Sequence, residues 1–161
     1  MAAVLTVRVN TGTNAGTESG AVTGIDLISA DNATNSLANR QANPITVNSN
    51  SFEKWITLKV DTAPANAVTN FLVWGDGAVQ AETTLNWGAT GTGATPTAST
   101  SSVATADFDS CVSGSKCTWD SASYTAQNDT TDFLVLQLVV GAAASPGNWT
   151  QETINYSYDE T

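Results

Sequence analysis

The sequence predicts an all-β protein: a single antiparallel β-sandwich or jelly-roll-like domain of about eight short strands with long loops. Three observations carry that expectation. Apolar and polar residues alternate with a period of two in several short windows. No window sustains a helical period. Gly, Asn, Pro and Ser punctuate the strand-like segments at the spacing of sandwiches and barrels. With 161 residues and 41% apolar content, the chain has the size of one domain and the means to bury a core, so residues 1–161 are read as one β unit.

The elements follow in order. Residues 3–9 alternate, with Leu5, Val7 and Val9 on one face and Thr6 and Arg8 on the other. Residues 10–20 (NTGTNAGTESG) read as a flexible connector. A short second strand is expected at 25–27, a turn or two of helix at 33–40, and a third strand at 44–47, opened by Pro44 where a missing N–H is tolerated. The clearest strand is 51–60: Ile56, Leu58 and Val60 share one face, and Glu53, Trp55, Thr57 and Lys59 the other. Residues 68–74 and 79–87 flank Gly75-Asp76-Gly77 and read as a hairpin, because an Asp-Gly pair supplies the positive φ of a tight turn. Residues 88–106 form a bare stretch without a charge or an aromatic ring. A loop of that length is either a surface loop or an arm that orders against a neighbouring subunit. Residues 133–140 are apolar on both faces and read as a central strand or one covered by a partner; 151–158 alternate again.

Composition narrows function by exclusion. The chain has no histidine, and its five basic residues (Arg8, Arg40, Lys54, Lys59, Lys116) stand against fifteen acidic ones, a net charge of −10. Histidine is the commonest general acid–base residue near neutral pH, and phosphate or nucleic-acid contact needs clustered Lys or Arg. The expectation is therefore a non-enzyme without cofactor, metal or nucleic-acid partner. No apolar run approaches the roughly 18 residues of a membrane-spanning helix. The first ten residues alternate like a strand rather than forming the apolar core of an export signal, so assembly in a cytoplasm is expected.

Candidate chemistry is sparse. Cys111 and Cys117 bracket Val-Ser-Gly-Ser-Lys, a loop that can close as a disulfide or stay as two thiols. A disulfide would fit a particle released by lysis, and a metal site would need more ligands than two. Asp107, Asp109, Asp120, Asp129 and Asp132 read as solvated loop acids, with Ca²⁺ coordination or two-carboxylate hydrolysis as sharper readings. Asn32, Asn128, Asn148 and Asn155 head Asn-x-Ser/Thr triplets, as expected by chance in a Ser/Thr-rich chain. Of the tryptophans, Trp74 and Trp87 fall on apolar strand faces and read as core. Trp55 lies on a polar face, so either a loop covers it, the more ordinary outcome, or a partner does. Trp149 lies at a strand entrance. Trp55, Trp149 and Phe133 are the candidate interface residues.

The segment S-F-E-K-W-I-T-L-K-V at 51–60, followed by A-N-A-V-T-N-F-L-V-W at 65–74, resembles a pattern in small β-rich structural proteins of tailed bacteriophages. Glu53, Lys54, Trp55, Val68, Asn70, Phe71 and Trp74 carry the likeness. It implies a virion protein, above all a capsid decoration (cement) protein on the outer shell surface. Such a protein binds the major capsid protein as a homo-oligomer, a trimer by preference, using Trp55 and the segments 10–20 and 88–106 for subunit contacts. The rival expectations are a carbohydrate-binding or adhesive module displaying Trp55, Trp119 or Trp149, a tail tube or fibre component, and a two-carboxylate hydrolase.

Overall fold

Two antiparallel sheets of unequal size pack face to face in a computed structural model that describes residues 2–76, 81–145 and 151–161. The large sheet holds β1 (Val4–Thr11), β2 (Thr17–Glu18), β3 (Ser49–Asn50), β4 (Lys54–Thr62), β6 (Thr83–Thr90), β7 (Ala106–Asp107) and β9 (Phe133–Val140). Its order is β2-β1-β4-β9-β6-β7, with β3 extending the pairing of β9. The small sheet holds β5 (Val68–Gly75), β8 (Cys117–Asp120) and β10 (Ile154–Glu160), in the order β10-β5-β8. The result is an all-β, sandwich-like domain with no closed barrel.

Alternation sets the core. From the large sheet, Ile56, Leu58 and Val60 of β4 and Leu134, Leu136 and Leu138 of β9 point inward; Val68, Phe71 and Val73 of β5 meet them from the small sheet. β9 is central, paired with β4 through Trp55↔Val135 and with β6 along its whole length, from Thr83↔Val140 to Thr90↔Phe133. That placement is why its sequence is apolar on both faces.

Several local expectations are corrected. Strands β5 and β6 do not form a hairpin: they lie in different sheets, and residues 77–80 between them fall outside the described residues. An Asp-Gly pair favours a local turn, but each strand takes partners from far along the chain, the apolar β9 for β6 and the alternating β10 for β5. Residues 25–27 and 44–47 join no ladder; Ile25, Leu27 and Ile45 pack on the rim of the core from loops. The helical turn forms as α1 (Leu37–Ala42), where Ser36 caps the helix by accepting from the Asn39 N–H at 3.1 Å. Residues 10–20 are built into the sheet rather than hanging from it. They complete β1, make a 3₁₀ turn at Thr13–Ala15 and form β2, where Glu18 pairs with Lys59 at 2.7 Å.

One irregularity decides which side chains face outward. Asn70 has φ 55 inside β5, and the pairing with β10 shifts register between Ser157 and Asp159. The extra residue is a β-bulge. Val68 and Phe71, three apart, therefore both point inward, and Leu72 and Trp74 point out.

Candidate functional site

The two outer faces of the sandwich differ in whether the chain itself covers them. On the large sheet the outward residues are Trp55 and Thr57 of β4 and Phe133, Val135 and Gln137 of β9. Residues 91–104 fold back over them. Trp55 is 1% exposed, buried with Ala15, Ala104 and Val135, and meets Phe133 edge to face at 5.3 Å. Its indole N–H donates to Glu53 Oε2 at 2.9 Å, and that carboxylate also accepts from the Thr97 N–H.

Gln137 fastens the rest of the loop. Its Nε2 donates to the carbonyls of Ser51, Thr97 and Ser99, and its Oε1 accepts from the Ser101 N–H at 2.9 Å. A fully buried amide saturated on both ends is a strong anchor for a stretch whose apolar contribution to this cluster is limited to Val103 and Ala104. Gly88 permits the approach, since a Cβ there would overlap the Val103 carbonyl. Trp55 and Phe133 thus serve an intramolecular contact, and the bare segment is their lid. Trp149 lies outside the described residues.

Among the described residues no such loop covers the outer face of the small sheet. Leu72 and Trp74 are only half-buried there, in register with Thr118 and Ser157 and with Asn155, while Thr118 and Asp159 are exposed. Lys116 Nζ stands 4.0 Å over the Trp74 ring. Beside this face Cys111 and Cys117 form a disulfide, which closes the short loop between them. Against the expectation that it is core, Trp74 is therefore a surface residue, whereas Trp87 packs inward on Phe108.

Trp119 is 4% exposed in the main core, which removes it from any exposed aromatic platform. Nor is Asp120 a solvated loop acid. Also 4% exposed, it accepts from the Tyr124 hydroxyl and from the N–H groups of Ala122 and Asp132. Burial, then the Asp120 charge, raises the Asp132 carboxyl; burial and the hydrogen bond to Asp120 raise Tyr124 far above its ordinary value. Asp107 caps a 3₁₀ turn and Asp129 a loop. Among the described residues no group of three or more His, Cys, Asp or Glu is gathered closely enough to hold a metal ion.

Lys54, the first residue of β4, is 2% exposed, and its ammonium donates to the carbonyls of Ala30 and Asn32. Burial lowers its pKa, opposed by Asp31 and Asp26. Its work is to tie the 26–32 loop to β4. No family model, curated protein or solved structure matches the chain.

Proposed function

We propose that the protein is a non-enzymatic virion structural component, a capsid decoration (cement) protein that docks on the major capsid protein through the open face of its small sheet. The observation that supports this reading most is the contrast between the faces. The chain spends its own loop on Trp55 and Phe133 and leaves Leu72 and Trp74 half-exposed on the outer side of a three-stranded sheet. A half-exposed Trp on the middle strand of such a face is a typical interface anchor. The likeness of residues 51–74 to phage structural proteins supplies the virion setting, and an acidic chain without histidine fits a role without chemistry. Closed symmetry, a trimer by preference, multiplies weak contacts into avid attachment on the outer shell.

The test is co-sedimentation with shells assembled from the major capsid protein of the same genome, together with light scattering of the free protein. Saturable attachment that fails for Leu72→Ser with Trp74→Ser supports the reading; no attachment overturns it. A carbohydrate-binding module is the second reading, favoured by Trp74 standing next to Asp76 and Glu152. It predicts that glycans, and not shells, protect the face.

A further inference from the structure

Where β5 ends at Gly75, the open face runs into a notch of about 480 Å³ lined by Trp74, Asp76, Phe108, Asp109, Val112 and Glu152. Three of these are apolar and three are carboxylates. Among the described residues none of the three carboxylates has a basic partner, and the basic side chains are accounted for elsewhere. Arg8 pairs with Asp61, Arg40 with Asp26 and Lys59 with Glu18. Lys54 is buried against carbonyls, and Lys116 lies over Trp74 without forming an ion pair among the described residues. Those are all five basic side chains in the sequence.

We propose that the notch is a socket for an arginine side chain of the protein on which the open face docks, its guanidinium lying against Trp74 and pairing with Asp76, Asp109 and Glu152. This rests on the docking role above and specifies the chemistry of the partner. Charge complementarity is the first argument, since a recess with apolar walls and three carboxylates, Asp76 and Asp109 exposed and Glu152 half-buried, favours a cation. Size is the second. The carboxylates are not gathered tightly enough for a metal ion, whereas a planar guanidinium reaches several acceptors and stacks on an indole ring. The Trp74 ring already holds one ammonium at 4.0 Å, so it is presented to cations. Both arginines of the chain are held in ion pairs, which points to a different protein rather than a second copy.

Local build supports the assignment. The Glu152 carboxylate lies directly against the Gly75 backbone at the notch, where a Cβ would meet it. Burial, then Asp109 and Asp76, pushes Glu152 up to about 7. Those two carboxylates are the titratable groups acting on it, and Asp76 also accepts from Asn155 Nδ2 at 3.2 Å. An entering cation supplies the charge that the cluster lacks, so binding strengthens as pH rises through 7.

The test is an NMR titration of the whole protein with Nα-acetyl-arginine N-methylamide. The expected result is a saturating shift of the Trp74 indole N–H and of the amides of Gly75, Asp109 and Ser113, with a Kd on the order of millimolar. Affinity falls about tenfold in Glu152→Gln with Asp109→Asn. It holds in Glu18→Gln with Asp129→Asn, a control of equal net charge. Shifts spread over the acidic surface, or equal in the two double variants, overturn the socket. Attachment to shells separates the two ideas. If the socket variant attaches normally while Leu72→Ser with Trp74→Ser does not, the socket is wrong and the docking face stands; if neither loses attachment, the docking face is wrong.

Discussion

The outer faces of the two sheets present the same problem, a tryptophan on a strand that is not pointing into the main core, and they meet it in opposite ways. Trp55 on the large sheet is sealed by residues 91–104, hydrogen-bonded through its indole and packed on Phe133. Trp74 on the small sheet is half-exposed, with the Lys116 ammonium over its ring. The difference shows how a fold assigns similar residues to stability or to recognition. The fate of a side chain depends on whether the chain has a segment long enough, and an anchor polar enough, to cover it. Gln137 is that anchor, and the small sheet has no counterpart among the described residues.

Substitutions that exchange the two fates test the contrast. Trp55→Ala should cost about 3–5 kcal/mol of stability, the scale of a fully buried aromatic truncation, read as a lowered urea midpoint. Opening the disulfide with Cys111→Ser and Cys117→Ser should cost about 2 kcal/mol, because the loop it closes is short, and reduction of the wild type should show the same loss. Gln137→Met should cost about 1–3 kcal/mol by leaving buried carbonyls and an N–H unpaired, and should raise proteolysis within 91–104 before global unfolding. Trp74→Ala should change stability by no more than about 1 kcal/mol, the scale of its cation–π contact, yet abolish attachment.

The last effect is one of pH. Glu152 titrates at about 7 in the folded protein against an ordinary 4.5, so between those values the folded state binds more protons than the unfolded one. Its contribution to stability is therefore lost as pH rises from about 4.5 through 7, and levels off above. Denaturant midpoints measured across that range should fall less steeply in Glu152→Gln than in the wild type.

Much of this architecture was legible in the residues, and the exceptions are physical. β1, β4 and β10 show in the sequence because burial on one face writes a period of two into it, and β9 because burial on both faces writes a continuous apolar run. The hairpin expected at 68–87 does not form because Asp76-Gly77 reports only a local preference, whereas each strand takes partners from far along the chain. Trp74 read as core because strict alternation ignores the bulge at Asn70; an Asn inside an apolar run was the available signal. The lid at 91–104 was harder to foresee. Its contacts run through backbone groups that composition does not show, and the clue lay elsewhere, in Gln137, a polar amide at the centre of an apolar strand. The alternative of loop cover for Trp55 was already visible from its place on a polar face. The notch left no sequence signal, since Asp76, Asp109 and Glu152 are far apart in the chain and meet only through the fold.

Hydrogen exchange of the free protein against its shell-bound form tests the division between the faces most directly. The account predicts new protection over 69–75, 117–118 and 155–159, with 91–104 exchanging alike in both states. New protection confined to 91–104, with β5 and β10 unchanged, would contradict it and make the lid the docking surface.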